Sequence, residues 1–228
     1  MSLSQKYGRT YHYPFSPGTT SDDRINAHYW DDMIRLEKVV HTEKLDGENT
    51  CLNQYGVFAR SHAAPTQHPW AAYLKEKWQW LKNDFGDLAV FGENVYAIHS
   101  IRYEQLAHHF FVFAIRELDR WLSWEEVAFY AEMMDFPTVP VLEVTELTNR
   151  SDFEENILNL VQQASTFQSI DVYTGSPCCM EGIVSRNVNA FSVDAFPQNV
   201  FKYVRKDHVK TDEHWTRHWQ RAPLKWEK

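Results

Sequence analysis

Residues 42–49 read TEKLDGEN. Lys44 follows an acid, Glu43, and stands two residues before Asp46-Gly47. Two readings compete. One is a surface hairpin with a solvated lysine; the other is a buried amine that acts as a nucleophile. The flanking runs VVHTEKL (39–45) and NTCLNQ (49–54) read as strands, so Lys44 stands at a strand end beside a tight turn. An attacking lysine must first lose a proton held with a pKa of about 10.4. Burial, nearby cations or a metal ion would lower that value. Gly47 would let the backbone approach a ligand closely. A Lys-x-Asp-Gly match arises by chance in roughly one chain in twenty of this size, so its companions must decide.

Outward from this stretch, VFARS (57–61) reads as a third strand, joined to the second through a Tyr55-Gly56 turn and carrying Arg60. LAVFGENVYA (88–97) and FFVFAIREL (110–118) read as buried strands. MEGIVSR (180–186) and NVFKYVR (199–205) read as short strands, each ending in a basic residue. Between them, residues 68–86 carry Trp70, Leu74, Trp78, Leu81 and Phe85 at helical spacing behind Pro69. SWEEVAFYAEMM (123–134) opens on a capping box, Ser123 and Glu126. DFEENILNLVQQAS (152–165) reads as another helix. PFSPGTTSDDR (14–24) is rich in turn formers and reads as a loop, more readily a plain turn than a lining of the active site, for which it suggests no mechanism. The sum is an α+β chain of antiparallel strands with helices inserted between them. No Gly, Ser or Pro linker divides it, so a single domain over residues 1–206 is expected, followed by a short tail, 207–228.

Composition narrows the field. The 228 residues are 43% hydrophobic and 15% aromatic, enough for a sizeable core. The net charge of −8 argues against non-specific coating of nucleic acid, while leaving room for a local basic groove. Cys51, Cys178 and Cys179 form neither a disulfide framework nor a cysteine zinc pattern, which suggests a reduced, intracellular (cytoplasmic) setting. There is no apolar leader, and no run approaches the roughly 20 apolar residues of a membrane span. The segment from Lys202 to Lys228 is basic and studded with Trp215, Trp219 and Trp226. It reads either as a phosphate-tracking surface or as a helix packing its tryptophans on the core. His214 and His218 are spaced i, i+4, but no third zinc ligand is evident.

The companions of Lys44 occur in one order. Arg60 comes first, then Glu93 in FGENVY, Phe113 in an apolar strand, Glu181 in MEGIVSR, and Lys202 with Arg205 in FKYVRK. A carboxylate in an apolar strand is costly without a partner. Taken singly, each of the charged residues among them reads more readily as a surface charge. Together, EKLDGEN, FGENVYAIHSIRY, FFVFAIRE, EGIVSR and FKYVRK resemble motifs I, III, IIIa, IV and V of the covalent nucleotidyltransferase superfamily. Within it, the chain is most similar to the RNA ligase 2-like branch of ATP-dependent RNA ligases, over about residues 42–206.

The resemblance implies an adenylylation domain (ATP-grasp-like) of antiparallel sheets flanked by helices. It implies ATP as cofactor with Mg²⁺ or Mn²⁺, and an RNA substrate with 5′-phosphate and 3′-hydroxyl ends. In such enzymes the motif I lysine, here Lys44, takes AMP from ATP and passes it to the RNA 5′-phosphate, which is then joined to the 3′-hydroxyl. The resemblance further implies that Glu181 coordinates metal, that Glu93 lies near the ribose, and that Phe113 stacks on adenine. It places Lys202 and a second cation, Arg205 or Lys206, on phosphate. Arg60 would serve the nucleotide and the RNA end, Asn49 the joining step, and Glu43 a backbone contact to adenine. Three departures stand out. Motif V lacks its usual Lys-x-Lys, Ala114 replaces the acid expected after Phe113, and only about 22 residues follow motif V, with no OB-fold or other full module. An end-healing kinase or phosphatase is a further expected partner. The rival readings are a DNA ligase or capping-type nucleotidyltransferase, and a catalytically dead nucleotide- or RNA-binding module.

Overall fold

In the computed structural model, which describes residues 3–60, 63–206 and 218–227, the turn after Lys44 carries the chain from one sheet to another. Strand β1 is Tyr11–His12 and β2 is Lys38–Lys44; after three residues the chain enters β3, Glu48–Asn53, and then β4, Gly56–Ala59. The remaining strands are β5 Leu88–Asn94, β6 Ile101–Tyr103, β7 Phe110–Glu117, β8 Arg120–Trp121, β9 Val141–Glu146, β10 Ser169–Asp171, β11 Gly182–Asn187, β12 Phe191–Ser192 and β13 Val200–Val204. One sheet has the order β1-β13-β11-β2-β9, and a six-stranded sheet has the order β12-β8-β7-β5-β3-β4. Strands β10 and β6 form a separate antiparallel pair. All pairings are antiparallel except that of β1 with β13.

The helices cover the outer faces. They are α1 Tyr29–Met33, α2 Ala72–Leu81, α3 Trp124–Met133, α4 Arg150–Leu160 and α5 Phe196–Asn199. Leu74 of α2 and Val127 and Ala131 of α3 pack with Leu52, Val90 and Val112 of the six-stranded sheet. Phe153 and Ile157 of α4 and Met33 of α1 pack with Val39, Ile183 and Phe201 of the other sheet. A third cluster, including Phe91, Ala114, Trp121 and Val200, joins residues of both sheets. This is the mixed α+β arrangement expected from the sequence. The Ser123–Glu126 capping box forms, with the Ser123 N–H donating to Glu126 Oε2 at 2.8 Å.

Several short elements were not expected from the sequence, and two departures among the longer ones have a clear reason. The helix expected over 68–86 is a 3₁₀ turn at Pro69–Ala71 followed by α2, and it stops at Leu81 while Phe85 turns into the core. Strand β9 went unrecognised because it is an edge strand. Val141 and Val144 are half-exposed, and Glu143 and Glu146 break the apolar pattern.

His41, on β2, is fully buried and its Nδ1 lies 2.8 Å from Ser185 Oγ. Burial lowers its pKa to about 4, with Glu143 opposing. The unfolded chain therefore binds this proton below about pH 6.5 while the folded chain resists it down to about pH 4. Stability is fully present above that window and falls as pH drops through it, by about 3 kcal/mol from this residue. Urea denaturation at pH 7 and pH 4.5 should show a smaller acid loss in His41→Gln than in the wild type. Equal losses would remove His41 from the acid response.

Candidate active site

Lys44 ends β2 directly opposite Gly182, the first residue of β11. That register sets Glu181 beside it. Lys44 Nζ lies 2.7 Å from Glu181 Oε1 and 2.8 Å from Oε2. Only 4% of the Glu181 side chain is exposed, against 27% for Lys44, so the carboxylate is the deeper partner. A Cβ at Gly182 would fall on the Tyr203 carbonyl, so the close approach of β13 requires glycine after Glu181.

The turn after Lys44 is held from both sides. Asp46 Oδ2 accepts the N–H groups of Ser100 (2.8 Å) and Ile101 (2.9 Å), and the Asp46 N–H donates to the Tyr103 hydroxyl at 2.8 Å. The acid of the Lys-x-Asp-Gly run is thus a brace. The Gly47 N–H donates to Glu93 Oε1 at 3.1 Å, and a Cβ at Gly47 would sit 2.6 Å from the Asn94 carbonyl oxygen. Asn49 faces Glu93 across the β3–β5 ladder. Three short links therefore bring Lys44, Glu181, Glu93 and Asn49 together where the two sheets meet.

Their electrostatics are coupled. Burial would lower the Lys44 pKa, but Glu181, Glu93 and Asp46 outweigh it and raise the value above the ordinary lysine range. This is opposite to the lowered pKa that a nucleophile needs. The ammonium is held against Glu181. Burial raises the Glu93 pKa to about 8, with Glu181 and Asp46 adding to the rise and Lys44 and the Gly47 N–H opposing it.

A cavity of about 920 Å³ opens in front of this group, within the range of small-molecule sites. It is lined by Lys44, Glu43, Asn49, Arg60, Glu93, Phe113 and Lys202 among others. Phe113 reaches it through a β-bulge. Phe91 pairs with Ala114 while Gly92 pairs with Val112, so Phe113 is the extra residue of β7. Glu43 borders the cavity, but its carboxylate points to Ser165 Oγ (2.5 Å) and the Thr166 N–H (3.0 Å), and its own N–H donates to Pro140 O. Arg205 lies outside the lining. Its N–H donates to the Glu181 carbonyl, which ties the residue after β13 to the residue before β11.

Sequence reasoning left two contributors without a role, although it allowed the 16–24 loop at the site. The first is the N-terminal segment, whose Lys6, Tyr7, Arg9, Asp23 and Arg24 form a wall of the cavity. The Tyr7 ring inserts among Phe91, Phe113, Trp121 and Phe196, with centroids 4.9–5.6 Å away. The second is Arg186, the last residue of the quoted EGIVSR run. It is 4% exposed and donates to the carbonyls of Leu122 (2.6 Å), Asn187 (3.2 Å) and Phe113 (3.5 Å), tying β11 to the strand that carries Phe113. Its charge faces backbone oxygens, and burial lowers its pKa to about 10.

The described part of the tail, residues 218–227, runs beside 96–98. Arg221 bridges Ala97, the Ala222 N–H donates to Tyr96 O, and Trp219 packs against Trp70 and Tyr96. Trp215, His208 and His214 lie outside the described residues. Among the described residues no helix is long and apolar enough to cross a membrane.

Two sheets meeting at a lysine–carboxylate pair above a nucleotide-sized cavity define a class that comparison with known proteins identifies. The RNA ligase family profile matches residues 37–204, and the chain belongs to the RNA ligase family. Solved structures of mutant RNA ligases from Naegleria gruberi share its fold. An apo form has a TM-score of 0.55 at 19% identity, covering 85% of this chain and 57% of that one. Two forms with ATP and Mn have TM-scores of 0.53; one is 19% identical, with coverages of 85% and 58%, and the other 18%, with coverages of 90% and 60%. The chain thus spans less than two thirds of those relatives' length. No curated protein matches it significantly.

Proposed function

We propose that this chain is an ATP-dependent RNA ligase working through a lysine–AMP intermediate, with residues 1–206 as a nucleotidyltransferase core. The observation that carries the reading is the Lys44 amine, stored against a buried carboxylate at the wall of a cavity lined by an aromatic ring and cations. In the first step the Lys44 nitrogen, its proton released to solvent, forms a bond to the α-phosphorus of ATP. The bond to the bridging oxygen breaks, and pyrophosphate leaves with the electron pair. Next, a 5′-phosphate oxygen of RNA attacks the same phosphorus and Lys44 departs as an amine. Finally the RNA 3′-hydroxyl attacks the activated 5′-phosphorus, the phosphodiester forms and AMP leaves. All three steps need in-line geometry and cationic neutralisation of phosphate oxygens.

The donor set suits Mg²⁺ or Mn²⁺. Glu181 offers a buried carboxylate, and such ions commonly take one or two carboxylates together with water and phosphate oxygens. Among the described residues no group of three His, Cys, Asp or Glu side chains is placed to hold a metal ion. A bound ion would neutralise phosphate charge during transfer. The Naegleria gruberi ligases bind ATP and Mn, which supports the same cofactor class here. Within the cavity Phe113 stacks on adenine, Glu93 meets the ribose, Lys202 meets the α-phosphate, and Arg60 and Asn49 receive the RNA end. Glu43 offers its backbone to adenine. Arg205 serves phosphate only if its side chain swings round to the cavity.

The test is ligation of 5′-phosphorylated RNA, single-stranded and nicked, with ATP and Mg²⁺. Sealed RNA is expected. Sealing of DNA alone, or labelling by GTP in place of ATP, would contradict the assignment.

A further inference from the structure

The N-terminal segment precedes the family-matched residues, yet it reaches the proposed catalytic cations. Strand β1 runs parallel to β13 and sets His12 beside Lys202. The chain then loops out and returns at Asp23. Asp23 Oδ2 accepts the N–H and the hydroxyl of Thr20, both at 3.0 Å. Its Oδ1 lies 3.0 Å from Lys202 Nζ and 3.0 Å from His12 Nε2. His12 is fully buried, its Nδ1 lies 2.9 Å from Ser16 Oγ, and Ser16 Oγ accepts the Val204 N–H at 2.9 Å. One carboxylate, supported on both oxygens, therefore grips the lysine of β13.

We infer that Asp23 is a positioning residue: the N-terminal strap supplies a carboxylate that fixes the Lys202 ammonium at the wall of the Lys44 cavity, where it meets the α-phosphate. The inference rests on the proposed ligase reading of that cavity. A free lysine has several rotamers, and holding one of them costs entropy that an ion pair offsets. The groups facing Lys202 are His12 from β1, Asp23 from the strap, Lys44 from β2 and Arg60 beyond β4. Burial lowers the Lys202 pKa; Asp23 opposes this, while Lys44 and Arg60 push it further down. Burial and the charge of Lys202 also lower the His12 pKa, so His12 contributes shape and no charge near neutrality. Asp23 is thus the one acid among these groups that keeps Lys202 charged.

The test is single-turnover self-adenylylation of Asp23→Asn across ATP concentration and pH, with melting temperature measured alongside. The saturating rate should fall roughly ten- to a hundredfold. The alkaline limb should move to lower pH, because Lys202 without Asp23 loses its proton sooner. Asp23→Glu should recover part of the rate. If Asp23→Asn fails to fold, Thr20→Val, which loosens Asp23 while keeping its charge, should show a smaller loss in the same direction. An unchanged saturating rate and pH profile would overturn the inference. So would a faster variant, which would make Asp23 a placeholder that phosphate displaces. A wild type that takes no label from ATP would instead overturn the ligase reading itself.

Discussion

Lys44→Ala takes no AMP from ATP, and labelling of the protein drops to background while the sheets remain. The expectation follows from the geometry, because Lys44 is the amine at the end of β2 that faces the cavity from the Glu181 pair. The substitution leaves Glu181 buried without its cation, so the variant should lose about 1–3 kcal/mol in urea denaturation. Labelled AMP on the folded variant would show that another group is the nucleophile.

Glu181→Gln separates the ion pair with Lys44 from the metal coordination proposed for Glu181. Glu181 holds Lys44 as an ammonium, which by itself slows attack. If that were its whole role, the amide would release the amine and labelling at neutral pH would speed up. Under the proposed function Glu181 would instead help hold the metal ion that neutralises phosphate charge. The variant should label roughly a hundred- to a thousandfold more slowly, with its dependence on Mg²⁺ concentration moved upward. A rate equal to or above the wild type, at unchanged Mg²⁺ dependence, would remove the metal role.

The strands that carry Lys44, Glu93, Phe113 and Lys202, and the strand that follows Glu181, were legible as short apolar runs, and Glu93 and Glu181 stood out as carboxylates at the edge of such runs. The ladder between β2 and β11 then explains why Lys44 and Glu181, 137 residues apart, share an ion pair. What stayed hidden depends on non-local geometry. The two-residue strand β1 has no periodicity to read, and its partner lies 190 residues downstream, at Phe201 opposite Tyr11. The turn-forming stretch 14–24 reads locally as a loop, although Asp23 within it reaches Lys202. Likewise, that Lys202 lines the cavity and Arg205 does not depends on where β13 ends and on which of its faces meets the cavity. The opposite pKa shift of Lys44 depends on the count of nearby carboxylates, which only the folded chain sets.

The most direct measurement is the mass of the protein after incubation with ATP and Mg²⁺, followed by peptide mapping. The account predicts a gain of one AMP, carried by the peptide containing Lys44 and lost when 5′-phosphorylated RNA is added. AMP on a different residue, or a wild-type protein that never gains it and carries none when purified, would contradict the account.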